Sequence, residues 1–438
     1  MPHDTALTIL GQTGPGGDPR AHPFRDPSVA RAAGRTPPAS LYIHVPFCFH
    51  KCHYCDFYSI VDTQDRQGPF VKRLVQEFEA LGRLCGGPAL ETIFVGGGTP
   101  SLLRPDLWEE LLASLRRSFD LSPMKPGSAG DGGGGEGEFT VECNPETVTP
   151  GLMSVLAGGG VNRVSMGAQS FHADHLRTLE RWHDPENVPR ALEAARVAGI
   201  GRASIDLIFG VPGQTLGDWE RDLERALSLG TGHLSCYGLT YEPGTAMTAR
   251  LGRGEFSPAD EEVETGMFLA TVERLSAAGM PRYEVSNFAR PGEACRHNMV
   301  YWRQGDWLAA GPSASAHLAG RRWKNIPRLG DYLAESPDGL AGVTDHEAPD
   351  AARNLIERIM TGLRLTEGLD GAWVLASAER ARPGSASRLE AGVAELREAG
   401  VMGPGSRWNL TDAGFLVVNR AIVRLMECFD QPGSGGSS

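Results

Sequence analysis

A chain of 438 residues is longer than one ordinary compact domain, so a large domain and a smaller one are expected. Its 41% apolar and 22% charged residues suit a protein with a sizeable core, and no apolar run approaches the ~20 residues that cross a bilayer. The formal charge of −12 argues against nucleic acid or an anionic membrane as the main partner.

Residues 1–39 are rich in Pro, Gly, Arg and Asp, lack a sustained hydrophobic period, and read as a flexible N-terminal arm. No basic stretch precedes the apolar residues 6–10, so no secretory signal is expected. Short β-rich runs follow at 41–45, 92–95, 139–143, 163–166, 203–209 and 234–239. Between them lie amphipathic stretches at 70–84, 107–119, 187–198 and 216–229. This alternation predicts a parallel α/β fold, and polar or Gly-rich strand ends favour a partial barrel with its functional loops on one face. Residues 122–138 are too Gly-rich to pack and read as a surface insertion. Residues 258–279 read as a helix and 282–288 as a strand. A C-terminal domain is expected over 345–430, with helices at 351–365 and 385–399, a short strand at 408–410, and a cap and last helix over 411–426. Residues 431–438 read as a flexible tail.

Of the eight cysteines, Cys48, Cys52 and Cys55 fall within eight residues, while Cys85, Cys143, Cys236 and Cys428 lie in apolar contexts as inert core thiols. A long chain with one tight thiol cluster and no signal points to reduced thiols and a cytoplasmic location. Thiolates are the soft ligands of iron–sulfur clusters, and three leave one iron free for a small molecule. A structural zinc with His50 or His53 as fourth ligand, and coincidental core cysteines, are the alternatives.

The stretch YIHVPFCFHKCHYCD resembles the cluster motif of radical SAM enzymes. The resemblance implies a 4Fe–4S cluster on Cys48, Cys52 and Cys55, with S-adenosylmethionine (SAM) chelating the open iron. It also implies a partial (β/α)6 barrel. Gly97, Gly98 and Thr99 in GGGTP are implied at the methionine end of SAM, where glycines let the backbone approach closely. Glu142 in VECNPE, Gln169 in SMGAQSF, Arg181 in LERWH and Asp206 in SIDLIFGVPGQT match the family's SAM-contacting positions. Tyr42, Tyr54 and Thr240 are added by their spacing from the cysteines and from Asp206.

IHVPFC, YCDFYS, SIDLIFGVPGQT, YEPGT and YEVSNFAR narrow the resemblance to the oxygen-independent coproporphyrinogen III oxidase group. That group holds true oxidases and HemW-type heme chaperones. The oxidases typically carry a further cysteine two residues after the third, where this chain has Phe57. HNMVYW matches the HNxxYW signature associated with heme binding in the chaperone branch, which implies roles for His297, Tyr301 and Trp302. Cys295 is a conceivable thiolate ligand, and His317, in GPSASAH, a conceivable second ligand. Arg303, Arg321, Arg322, Lys324 and Arg328 form a basic cluster suited to porphyrin propionates.

The resemblance thus implies a heme chaperone that hands heme to acceptor proteins, with respiratory enzymes as candidates, and that needs a reducing electron donor. The alternative is a coproporphyrinogen III oxidase that decarboxylates propionates to vinyl groups. No catalytic side chain is assigned, and neither nucleic acid nor a transmembrane segment is expected. LRLTEGLD and LTDAGFLVVNRAIVRL imply a winged-helix-like C-terminal module.

Overall fold

The computed structural model describes residues 22–124, 137–334 and 336–430. Six strands follow one another in chain order: β1 (Ser40–Val45), β2 (Thr92–Gly97), β3 (Glu138–Cys143), β4 (Arg163–Gln169), β5 (Arg202–Phe209) and β6 (His233–Gly238). Helices alternate with them, among them α1 (Gln67–Cys85), α2 (Pro105–Ser118), α3 (Pro150–Gly158), α4 (Asn187–Val197) and α5 (Leu216–Ser228). Local chemistry sets their ends. Proline occupies the first turn of α2 and α3, where its missing N–H costs nothing. Thr215 and Asp218 form a reciprocal capping box at α5, and Gly86 closes α1 in the left-handed region.

The six strands pair in parallel, and two further strands complete an eight-stranded sheet. β7 (Asn287–Ala289), after α6 (Glu261–Ala277), runs antiparallel to β6. β8 (Leu308–Ala310), after α7 (Arg296–Trp302), runs parallel to β1. The order is β8-β1-β2-β3-β4-β5-β6-β7, and no pairing joins β8 to β7 among the described residues. The barrel is therefore partial, as expected.

Side chains alternate across each strand, and the two faces divide the chemistry. Leu41, Ile43, Val45, Ile93, Val95, Val141, Val164, Met166, Ile205 and Leu234 join Phe70, Leu74 and Phe78 of α1 in one core. Each large apolar side chain buried there contributes about 1.5–3 kcal/mol. The intervening positions, Tyr42, His44, Glu142, Arg163, Ser165, Asp206, His233 and Ser235, face a cavity of about 730 Å³. A one-residue slip in any strand would exchange the two sets, which fixes the register.

An antiparallel three-stranded sheet closes one side: β9 (Ser315–Leu318), β10 (Arg321–Asn325) and β11 (Val343–Glu347). It is framed by Glu77 of α1, a fully buried carboxylate that accepts from Gly311 N (3.0 Å), Asn325 Nδ2 (2.8 Å) and Tyr332 Oη (2.6 Å). Gly311 sits at φ +96° with its α-carbon against the His44 backbone, so no side chain fits there. C-terminal to this sheet come α8 (Ala351–Gly362), α9 (Gly371–Ala381), α10 (Ser385–Glu398) and α11 (Val418–Asp430). With the antiparallel pair Leu369–Asp370 and Arg407–Trp408 they enclose a second core around Leu355, Val374, Leu389 and Phe429. These are the parts a winged-helix-like module calls for. No helix among the described residues is long and apolar enough to cross a membrane.

Several expectations change. The flexible arm expected over 1–39 is ordered from residue 22: Asp26 caps a helix, Pro27–Arg35, by accepting from Ser28 N at 2.8 Å. Phe24 and His22 set their rings edge-on to Trp323 of β10 at 5.9 and 5.5 Å. Five buried residues, His22, Pro23, Phe24, Val29 and Ala33, suffice to dock a segment too short to show a period. Residues 1–21 and 431–438 lie outside the described residues, as do 125–136 of the Gly-rich insertion. Glu138, placed in that insertion, instead opens β3 and is wholly buried. Of the strand expected over 282–288, only β7 pairs as a strand, with single bridges at Arg282 and Glu284. A boundary at 345 would cut β11, which belongs to the hairpin sheet; the second core starts beyond it. The last helix expected over 411–426 is two helices, Asp412–Leu416 and α11, broken at Val417.

Candidate functional site

β1 leads directly into the loop that carries Cys48, Cys52 and Cys55. All three are free thiols and half-buried, whereas the other five cysteines are buried. Thr99 Oγ1 donates to Cys48 Sγ at 3.5 Å, and Arg181 Nη1 donates to Cys52 Sγ at 3.7 Å. Burial raises the Cys48 thiol and pushes Cys55 up to about 11, so thiolates here need a cationic partner. Three soft donors on one loop, with hydroxyl and guanidinium groups aimed at two sulfurs, fit a thiolate-held iron–sulfur cluster. Among the described residues no three His, Cys, Asp or Glu side chains converge on a point as a single ion requires. His50 lies flat on Trp182 at 4.3 Å, and His53 Nδ1 accepts from Arg250 Nη1 at 3.2 Å. Neither joins the thiols in a converging three-ligand group among the described residues.

The β2 turn packs against this loop. Gly97 has φ +106°, and a Cβ there would strike the His44 ring; one at Gly98 would lie 2.7 Å from Phe47 O. Gly98 N and Thr99 N donate to Val45 O and Phe47 O. These glycines seat the turn on the root of the cysteine loop.

Glu142 is buried, accepts from Gly97 N at 3.1 Å, and is pushed up to about 7 by burial and by Asp206. Asp206 accepts from Ser165 Oγ at 3.0 Å and Ser204 Oγ at 3.3 Å, and burial raises it too. Two carboxylates thus share the cavity floor with serine donors. Gln169 has φ +63° at a register shift in β4, a strained backbone costing about 1–2 kcal/mol. Its Nε2 and Arg181 Nη2 would both lie within 3.0 Å of a Cβ at Gly167, so the two side chains meet there. Tyr42 Oη donates to His44 Nδ1 at 3.1 Å, the ring being oriented by Nε2–H to Tyr58 O at 2.8 Å. Tyr54 packs on the small core of Leu179, Val211 and Met247 beside Arg181. Of the residues expected to contact SAM, Tyr42, Glu142 and Asp206 line the cavity, Gly97, Gly98, Thr99, Gln169, Arg181 and Tyr54 lie outside its lining, and Thr240 is exposed beyond the end of β6.

The HNxxYW segment forms α7. Glu138 anchors its start by accepting from Arg296 N and His297 N, both at 3.1 Å. His297 is completely buried. Its Nδ1 bonds Thr92 Oγ1 at 2.9 Å and its Nε2 bonds Tyr301 Oη at 2.7 Å, with the ring stacked on Phe94 at 5.5 Å. Burial lowers it to about 4, so it is neutral, with no nitrogen left for iron. The expectation of His297 as a heme contact is corrected on that ground. Tyr301 does line the cavity; Trp302 does not, and its carbonyl accepts from Arg358 at 3.3 Å. Cys295 is buried, bonds Glu138 at 3.4 Å, and is pushed up to about 12, which removes it as a thiolate ligand.

The basic cluster divides likewise. Arg322 and Lys324 face the cavity, whereas Arg303 pairs with Glu367, Arg321 with Asp26 and Arg328 with Asp331. Residues missed from the sequence include His44, Arg163, Ser165, His233, Ser235, Asn298 and Trp307, all lining the cavity. The usable signal was the period-two polar pattern inside the strands: Y-x-H, R-x-S and H-x-S.

The radical SAM superfamily model matches residues 42–226. Heme chaperone HemW of Mycobacterium tuberculosis is 34% identical over 413 residues, covering 93% of this chain and 99% of that protein. Heme chaperone HemW of Escherichia coli is 36% identical over 283 residues, 64% of this chain and 70% of that protein. The mitochondrial radical S-adenosyl methionine domain-containing protein 1 of Danio rerio is 31% identical over 339 residues, 76% and 74% of the two chains. Among solved structures, coproporphyrinogen III oxidase (HemN) of Escherichia coli superposes with a TM-score of 0.76 over 98% of each chain at 23% identity. That likeness establishes the fold.

Proposed function

The chain belongs to the heme chaperone HemW family of the radical SAM superfamily, and from that premise we propose that it binds heme and delivers it to acceptor proteins. Cys48, Cys52 and Cys55 would hold a 4Fe–4S cluster with SAM on its open iron. When bound, that pair supplies one-electron chemistry at the sulfonium, drawn from a reducing donor. The chain's own residues bind and orient. Arg181 and Thr99 offer N–H and O–H to the sulfurs, and Gln169, Glu142 and Asp206 present amide and carboxylate groups toward a zwitterion with a ribose. Gly97, Gly98, Tyr42 and Tyr54 shape that end. Respiratory enzymes are the acceptors we would test first, in the cytoplasm.

One observation carries the choice of chaperone over oxidase. Phe57 stands where the oxidases carry their further cysteine, in a chain that aligns at 34% identity along 99% of a HemW relative. Phe57 is 64% exposed and borders the cavity mouth, where it supplies an apolar surface and no ligand. Two measurements on anaerobically reconstituted protein test the reading. Hemin should bind at one site per chain, and coproporphyrinogen III with SAM and a reductant should yield no vinyl product. Protoporphyrinogen formation, or absence of hemin binding, would overturn it.

A further inference from the structure

Within that proposed function, on which this step rests, we infer that the heme iron is met by Nε2 of His317 and that Lys324 receives an acidic substituent of the same molecule.

Strand register brings these side chains together. In the antiparallel β9–β10 pair, Ser315 faces Lys324 and His317 faces Arg322, so all four side chains share one face of the hairpin. All four line the cavity, together with Tyr301 and Trp307. On the opposite face, Trp323 is buried under Phe24 and His22, which fixes the hairpin from behind.

His317 has the nitrogen that His297 lacks. Its Nδ1 lies 2.9 Å from Gly305 O, an acceptor only, so this nitrogen carries the proton. Nε2 is then the bare lone pair, since the ring's hydrogen bond to Gly305 O among the described residues is made through Nδ1. A carbonyl holding the distal N–H is the arrangement that orients an imidazole for a metal and raises its basicity. The Trp307 ring, 5.2 Å away, holds the imidazole in place. With Tyr301 it adds flat apolar surface for a macrocycle.

The cations beside His317 differ in availability. Arg322 is already ion-paired with Glu357 and lies 4.0 Å from Glu347. Lys324 has no ion pair among the described residues, yet faces the same cavity. It is the cation free to meet a carboxylate from the ligand.

Hemin and metal-free protoporphyrin IX, titrated into the full chain with its reconstituted cluster, separate the two roles. Binding is read by tryptophan quenching and iron coordination by the Soret difference spectrum. His317→Ala should weaken hemin by about 10–100-fold, the range seen when support for a metal ligand is lost. It should leave metal-free porphyrin affinity unchanged, and added imidazole should restore the wild-type Soret band. Lys324→Met should weaken both porphyrins by about threefold to tenfold, as loss of one charge-assisted contact predicts. An unchanged Soret band in His317→Ala, or equal loss of both porphyrins, would overturn the ligand assignment. Wild-type chain that binds neither porphyrin would instead remove the function on which it rests.

Discussion

The cavity has two ends built by different means. At the cysteine loop, the three thiols lie within eight residues of one another, and Thr99 and Arg181 reach two of them from other elements. At the hairpin, His317 and Lys324 belong to different strands and are placed by register, by Glu77 behind the sheet and by an N-terminal segment almost 300 residues away. The three thiols are half-buried and outside the apolar core, so replacing one is expected to leave the fold in place. The hairpin end couples ligand geometry to the stability of distant parts.

The largest contrast is expected between Cys52→Ser and a change in the hairpin frame. Cys52→Ser should abolish cluster assembly, with iron falling from about four per chain to background. Because Cys52 is half-exposed and not part of the core, apoprotein stability should stay within about 0.5 kcal/mol of wild type. A large loss of apoprotein stability would break the claim that the loop is independent of the fold. Glu77→Ala should do the reverse. It strands Asn325, Tyr332 and the Gly311 N–H without their acceptor and leaves Arg73 near an uncompensated void. The expected cost is about 3–5 kcal/mol in chemical denaturation, with the cluster still assembling in the folded fraction.

Glu142 lies between these extremes and gives a pH signature. Its folded pKa of about 7 exceeds its ordinary 4.5 because burial and Asp206 disfavour the charge. A carboxyl raised in this way contributes its full stability below about pH 4.5 and loses it as pH rises toward 7. Glu142→Gln removes that loss while keeping an acceptor for Gly97 N–H. The variant should match wild type near pH 4.5 and exceed it at pH 8, by at most about 3 kcal/mol. Equal stability difference at both pH values would show that Glu142 is charged throughout.

How much of this could be read from the chain follows the same division. The six strands were visible because each pairs an apolar face with a polar one, and the cysteine loop because its ligands are contiguous. Thr240 was misplaced because spacing from Asp206 does not say that β6 stops at Gly238, two residues short of it. His297 was overvalued because a motif cannot show that Thr92, more than 200 positions earlier, occupies its Nδ1. The shared face of His317 and Lys324 was not legible, because it is set by an antiparallel register that no local pattern encodes. The ordered residues 22–35 were hidden for want of length: five buried residues make no period, yet Phe24 and His22 among them find Trp323.

That N-terminal contact supplies the smallest effect and the finest test of the comparison. Arg25 pairs with Asp338 at 2.7 Å, but both side chains are more than a third exposed, at 37% and 39%. Solvent therefore screens the pair, and Arg25→Ala should cost only about 0.5 kcal/mol. The pair holds Asp338 well below the usual carboxylate range. Its contribution is full above about pH 4 and shrinks as pH falls below the ordinary carboxylate range toward the depressed folded value, so the cost should be smaller at pH 3 than at pH 7 without vanishing there. Phe24→Ala, by contrast, opens the rear of the hairpin and should cost about 3 kcal/mol at every pH. If the hairpin end is set from behind, Phe24→Ala should also weaken hemin binding, whereas Arg25→Ala should leave it unchanged. Neither should alter the iron content of the reconstituted cysteine loop. A fall in iron content in Phe24→Ala would mean that the two ends of the cavity are mechanically one.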